Sequence, residues 1–233
     1  MNQQPCCFSR LFSKSLNSVT IEMTLSKYNT IRTISVRIGI KREHIMIKGN
    51  KIDLIPAALG DRRDVYEWCF HSETTKSHSG PPDYPDVAIP SWEEFCDDYQ
   101  EYYFTGSKPE HGRGFLISHN NEPVGFISYA CFHLKEQTAE LDIWMNCEAN
   151  CGKGFGTDAI ISLGRHLSET LGIRKLIIGP SVKNVRAIKS YEKAGFEKSN
   201  KPMDAYLRDE YVPIYGGGDY GTNETQVLVK LLQ

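Results

Sequence analysis

Cys151-Gly152-Lys153-Gly154-Phe155-Gly156-Thr157 is a glycine-rich turn that runs straight into a helical pattern. Glycines at 152, 154 and 156 remove side chains that would hold a bulky anion off the backbone. They also tolerate the positive φ values that turn successive N–H groups inward. Downstream, Ile160, Leu163, Leu167 and Leu171 recur at helical spacing, and Gly172 stands at the C-terminal cap position. The helix therefore faces the turn with its free N–H groups and positive dipole end. The stretch reads as a cradle for a pyrophosphate.

Two familiar phosphate loops do not fit it. A Walker loop needs four residues between its first Gly and a Gly-Lys-Ser/Thr, and the chain has none. Gly154-Phe155-Gly156-Thr157-Asp158-Ala159 matches G-x-G-x-x-A, but a dinucleotide fold also wants an acidic residue about 20 positions later, closing a second strand. Lys175-Leu176-Ile177-Ile178-Gly179-Pro180 stands there, without a carboxylate. The strand pattern Glu140 to Met145 is moreover separated from the loop by a polar segment, Asn146 to Asn150.

A second motif lies downstream, Asn184-Val185-Arg186-Ala187-Ile188-Lys189-Ser190-Tyr191-Glu192-Lys193-Ala194-Gly195-Phe196. The two motifs in this order resemble the GCN5-related N-acetyltransferase (GNAT) superfamily, from about Lys51 to about Leu231. Within it the chain is most similar to aminoglycoside 6'-N-acetyltransferases, on Tyr66-Glu67-Trp68, an Asp on the strand before the loop, and both motifs. One departure is Cys151, where many members carry Arg or Gln. A cradle of backbone amides should lose little by it.

The resemblance implies an α/β fold, mixed α+β, with a central, mostly antiparallel twisted sheet of six to seven strands. Helices cover both faces, and the sheet splays between its fourth and fifth strands. Acetyl-CoA is the implied cofactor, acting as co-substrate without a metal. Its implied contacts are Cys151, Gly152, Lys153, Gly154, Phe155, Gly156 and Thr157 in the loop, Trp144 and Met145 at the strand end, and Asn184, Ala187 and Tyr191 in the second motif.

The totals narrow the classes. At 233 residues, one domain with extras and a sizeable core is expected. No apolar run approaches a membrane span, and the mean hydropathy is −0.41. Seven cysteines without C-x-x-C spacing argue for a reducing, cytoplasmic setting and against a disulfide framework or zinc site. Seven Lys or Arg residues against Glu22 and Glu43 give residues 1–45 a charge of +5. Of the 27 basic and 29 acidic residues in the chain, that leaves 20 against 27 in the remainder. An acidic body with a cradle for an anionic cofactor suggests a cationic small-molecule amine as the other substrate, with no nucleic-acid or membrane partner. The expected assembly is a monomer or homodimer.

Residues 1–45 match nothing in the resemblance. They are basic and acid-poor, like a transit peptide, but Met46 followed by Ile47 to Leu54 looks like a natural start. The domain is therefore placed at 46–233, with 1–45 as an extension that is disordered or foreign to it. Lys51 to Ala57 reads as a strand and Asp61 to Phe70 as a helix with Asp61 at its N-cap. Ser79 to Asp86 is a loop rich in breakers. Ser91 to about Phe104 reads as a single helix with Ser91 as N-cap, acidic on one face and aromatic on the other. Gly114 to His119, Pro123 to Leu134 and Thr138 to Met145 form a meander, followed by strands at Lys175 to Pro180, from Phe196, and at Gln226 to Leu231. Gly216 to Gly221 is a loop, mobile by composition, that could close over the acceptor.

Acetyl transfer needs an anchored cofactor, a polarised carbonyl, a deprotonated amine and a proton for the leaving thiolate. Glu140, Asp142 and Trp144 alternate onto one face of their strand. By the resemblance Asp142 serves the acceptor amine, as base or as ammonium anchor, since an ordinary Asp is a weak base. Glu140 is either a second site carboxylate or a charge at the sheet edge. Tyr191 shares a helix face with Asn184, Ala187 and Ile188, and is the candidate acid. Arg186, Lys189 and Lys193 point largely away. Trp68, Asp97, Tyr99, Glu140, Asp142 and Asp219 are the expected acceptor contacts. The histidines, His78 and His133 among them, show no partner spacing and read as surface or core. Acceptors other than aminoglycosides, a protein N-terminus or a polyamine, would use the same cofactor motifs. A non-catalytic acyl-CoA-binding module would be expected to lack Asp142 or Tyr191.

Overall fold

The computed structural model describes residues 46–78 and 88–233. The expectations for residues 1–45 and for the Ser79–Asp86 loop fall outside those described.

In chain order the elements are β1 (Ile47–Lys48), β2 (Asp53–Pro56), α1 (Arg62–Phe70), α2 (Thr75–His78), α3 (Trp92–Asp98), α4 (Glu101–Thr105), β3 (Gly112–His119), β4 (Glu122–Ala130) and β5 (Thr138–Met145). Then come α5 (Phe155–Leu171), β6 (Lys175–Ile178), α6 (Val185–Lys193), β7 (Glu197–Lys198), α7 (Val212–Tyr215) and β8 (Leu228–Leu231). The sheet has eight strands in the order β1-β2-β3-β4-β5-β6-β8-β7. Every pairing is antiparallel except β5 with β6. The mixed α/β class and mostly antiparallel sheet are as expected. The eighth strand is β1, too short to show a period-2 pattern.

The β5–β6 pairing decides where a ligand can enter. Thr138, Ala139 and Glu140 pair with Lys175, Leu176 and Ile177, and there the pairing stops. Among the described residues the second half of β5, Leu141 to Met145, therefore has no partner strand on the β6 side, and the sheet opens like a V. Alternation along the strands sorts side chains to two cores. Ile127 and Leu141 face α5, whose Ile160, Leu163 and Leu167 are fully buried. Phe126 and Trp144 face an aromatic core with Val65, Tyr66 and Phe70 of α1, Phe95 of α3 and Tyr102 to Phe104 of α4. Truncating one α5 leucine, such as Leu163→Ala, would cost about 2–5 kcal/mol.

Several local expectations need correction. The single helix over Ser91 to Phe104 is two. The N-cap holds, with Ser91 Oγ accepting from Glu94 N–H and Glu94 Oε2 from Ser91 N–H. Tyr99, however, leaves helical geometry at φ −90 and ψ 71. That break lets Tyr99, Tyr103 and Phe95 all turn into the aromatic core at no more than 2 % exposure. Asp61 precedes α1 but makes no cap bond to it; its carboxylate accepts instead from Ala58 N–H, closing the short turn before the helix. The Pro123–Leu134 strand ends at Ala130, and Cys131 to Leu134 form a turn.

Candidate active site

The glycine turn has the backbone expected of an anion cradle. Gly152 and Gly154 adopt φ of 73° and 84°, and Cys151 between the turn and the preceding segment is extended. Such alternation aims successive N–H groups into one concavity at the N-terminus of α5. A Cβ on Gly152 would meet nothing within 4 Å, so that glycine serves conformation. Gly156 has no positive φ and lies inside α5, so only two of the three glycines act as expected. One tie was not foreseen. The Asp158 carboxylate, buried in the first turn of α5, accepts N–H groups of Lys51 at 2.6 Å and Ile52 at 3.2 Å. It fixes the helix start to the β1–β2 hairpin.

A cleft of about 320 Å³ runs from this turn into the β5–β6 opening. Trp144, Met145, Cys151, Gly152, Gly154 and Phe155 line it, as do Gly156, Thr157, Asn184, Ala187 and Tyr191. Lys153 does not. Its carbonyl accepts from Lys51 Nζ at 3.1 Å and its ammonium lies over the Phe155 ring. Arg186, Lys189 and Lys193, expected to point away, stand on the cleft wall. They give it a cationic rim suited to phosphates, a consequence of cleft width that a helical wheel does not carry. Arg186 is paired with Glu148 and donates to Ser77 Oγ at 2.9 Å. Asn184 is the N-cap of α6, its Oδ1 accepting from Ala187 N–H at 3.1 Å while its Nδ2 donates to the Ser77 carbonyl. The Met145 carbonyl, expected to face the cofactor, accepts from Thr74 Oγ1 at 2.9 Å.

A smaller pocket of about 50 Å³ lies on the other side of the opening, lined by Glu140, Asp142, Tyr191, Asp219 and Tyr220. Glu140 and Asp142 share a face of β5, as alternation requires. Asp142 Oδ2 accepts from the Tyr99 hydroxyl at 2.5 Å, so Tyr99 orients the carboxylate where a substrate contact was expected. Glu140 is no sheet-edge charge, because β5 lies inside the sheet. It contacts His133 Nε2 at 2.7 Å, on a ring wholly enclosed by protein. Asp97 is solvent-exposed on α3 and Trp68 packs against the aromatic core; neither lines the pocket.

The neighbour of Asp97, Asp98, is buried and lies within electrostatic reach of Asp219. Burial first, then the charges of Asp97, Asp219 and Glu94, push its carboxyl up to about 9. Asp219 is open to solvent, yet its carboxyl is held above the ordinary range by the protein around it and then by Glu140 and Asp142. Its loop, expected to be mobile, is fastened. Thr225 Oγ1 accepts from Tyr220 N–H and donates to the Gly217 carbonyl, both at 3.2 Å, and the Tyr220 hydroxyl donates to the His78 carbonyl. Burial and the Asp142 charge raise the Tyr191 hydroxyl above the usual tyrosine range.

Residues 51–197 match the family model described as acetyltransferase (GNAT) domain. The chain belongs to the GNAT family. It is therefore an acetyl-CoA-dependent N-acetyltransferase. The chain is 27 % identical to aminoglycoside N(6')-acetyltransferase type 1 of Klebsiella pneumoniae, over 72 % of this chain and 86 % of that one. Among solved structures it resembles AAC(6')-Ib in complex with paromomycin and acetyl-CoA, with a TM-score of 0.56 and 20 % identity over 78 % of this chain and 94 % of that one. It also resembles RimL, a ribosomal L7/L12 alpha-N-protein acetyltransferase, in complex with coenzyme A. That TM-score is 0.58, with 17 % identity over 81 % of this chain and 98 % of the other. Among the described residues no group of three or more His, Cys, Asp or Glu side chains is placed to hold a metal. No described helix is long and apolar enough to cross a membrane.

Proposed function

We propose that this GNAT enzyme acetylates a primary amine of a polycationic small molecule in the cytoplasm, most simply the 6'-amino group of an aminoglycoside, and so confers resistance. The observation that carries this reading is the pocket across the sheet opening, where Glu140, Asp142 and Asp219 converge with Asp98 close by. Carboxyl groups crowded so that some keep their protons would ionise beside a ligand with more than one ammonium group, and so favour such a ligand. The 27 % identity to an aminoglycoside enzyme points the same way.

Acetyl-CoA supplies a thioester-activated acetyl group. The glycine turn and the α5 N-terminus hold its pyrophosphate, with Arg186, Lys189 and Lys193 beside the phosphates and the end of β5 along the pantetheine arm. Asp142, oriented by the Tyr99 hydroxyl, anchors the acceptor and takes its proton as the lone pair turns toward the acyl carbon. As the N–C bond forms and the C–S bond breaks, the departing sulfur takes its proton through the Tyr191 hydroxyl. That hydroxyl, like any tyrosine, is protonated at neutral pH, and its raised pKa keeps it so. It is replenished by the second amine proton, and the first passes from Asp142 to solvent. Glu140 and Asp219 hold further cationic groups of the acceptor.

The test is thiol release from acetyl-CoA across kanamycin-type and gentamicin-type aminoglycosides, spermidine and basic peptide N-termini. Saturable turnover with an aminoglycoside is expected. Turnover confined to peptide N-termini or to spermidine would replace the acceptor and leave the cofactor half of the reading standing.

A further inference from the structure

Four of the described residues line both the cofactor cleft and the acceptor pocket: His78, Ile143, Asn184 and Tyr191. The transferred acyl group has to lie where the two cavities meet, because its carbon must be reached from the acceptor side while its sulfur remains in the cofactor cleft. His78 is the one of the four for which sequence gave no site role. Its ring lies face to face on Trp144, with centroids 5.9 Å apart and planes 13° apart.

Neither ring has room to yield. Trp144 is 3 % exposed and is backed by Tyr99 edge-on at 5.7 Å and by the tilted Phe126 ring at 4.9 Å. The segment that carries His78 is pinned along its length. Thr74 Oγ1 donates to the Met145 carbonyl, Asn184 Nδ2 to the Ser77 carbonyl, Arg186 to Ser77 Oγ and the Tyr220 hydroxyl to the His78 carbonyl. The imidazole is itself hydrogen-bonded to the Trp68 backbone, and burial lowers its pKa to about 4, so an uncharged ring faces the junction.

We propose that His78 sets the length of the acyl group the enzyme accepts: its imidazole, clamped on Trp144, closes the acyl end of the cleft so that acetyl fits and longer chains do not. The inference rests on acetyl-CoA use by this site and is independent of which amine is the acceptor. Replacing His78 by Ala would open space against the Trp144 indole, an apolar surface suited to extra methylenes. One methylene in such a slot changes discrimination by about 10-fold or more.

The test is calorimetric affinity of the full chain for acetyl-, propionyl- and butyryl-CoA without any acceptor, in wild type, His78→Ala and His78→Phe. Wild type is expected to bind acetyl-CoA about 10-fold more tightly than butyryl-CoA. His78→Ala should erase or invert that ratio, and His78→Phe, which keeps a flat ring, should retain it. An unchanged ratio in His78→Ala would overturn the proposal, as would a ratio lost equally in His78→Phe, which would make the ring's nitrogens and not its bulk the cause. If His78→Ala fails to melt cooperatively, His78→Val is read by the same ratio. Because no acceptor is present, a failed aminoglycoside reading leaves this result intact.

Discussion

The two cavities on either side of the β5–β6 opening are built by different means. The cofactor half uses backbone: two left-handed glycines, a helix N-terminus and a capped second helix, all within residues 151–193 and rimmed by three cations. The acceptor half uses side chains from distant parts of the chain: Glu140 and Asp142 on β5 and Asp219 on the loop before β8, with Asp98 at the end of α3 close by. The first half offers cationic groups to an anion and the second carboxylates to a cation. A backbone cradle recognises what every acetyl-CoA shares. A side-chain pocket can be rewritten for each amine without disturbing it.

That contrast can be broken by mutation, starting with the largest effect. Asp142→Asn is expected to lower kcat by about 10³-fold, within the range for a lost proton acceptor, while acetyl-CoA affinity stays within about twofold. Steady-state rates beside calorimetric titration check this, and unchanged turnover would remove Asp142 from the chemistry. Tyr191→Phe should slow single-turnover acetyl transfer by about 10²-fold. A normal rate would return Tyr191 to the core. Gly154→Ala works on the other half. A side chain at φ 84° costs about 1–2 kcal/mol, so acetyl-CoA should bind about 10-fold more weakly while kcat at saturation is kept.

The smallest effect is on stability. Asp98 has a folded pKa of about 9, above the ordinary aspartate value near 4, so the folded protein holds a proton that the unfolded chain releases. The contribution is fully present below the ordinary pKa and is lost as pH rises toward 9. Wild-type Tm should therefore fall between pH 5 and pH 9, by a few degrees, and Asp98→Asn should flatten that slope. Parallel slopes in calorimetric scans would show that Asp98 is not the group responsible.

The same contrast governs what could be read from the sequence. The glycine turn, the α5 stripe, the Asn184-to-Phe196 motif and the face shared by Glu140, Asp142 and Trp144 are local patterns, and each has its place in the structure. The burial of Asp98 near the acceptor pocket was not legible. It depends on the break at Tyr99, where aromatic packing overrides a helical pattern that runs on to Phe104. His133 behind Glu140 and Asp158 beneath the hairpin are joined to their partners by tertiary contact, with no periodic signal. His78 was invisible for the same reason, because its position depends on four hydrogen bonds between the segment Thr74 to His78 and distant parts of the chain. The sequence shows a row of carboxylates at Glu94, Asp97 and Glu101 along one helix face, with Asp98 at the margin between it and the aromatic face and no local pattern that marks Asp98 for burial.

The independence of the two halves is tested most directly by titrating acetyl-CoA into the double variant Asp142→Asn, Asp219→Asn. Asn is isosteric with a neutral aspartic acid, so the pocket keeps its shape while losing charge. The account predicts an acetyl-CoA affinity within about twofold of wild type together with loss of acceptor turnover, because only the acceptor half has been altered. A loss of acetyl-CoA affinity of about 10-fold or more would contradict it, since the acidic pocket would then be part of the cofactor site.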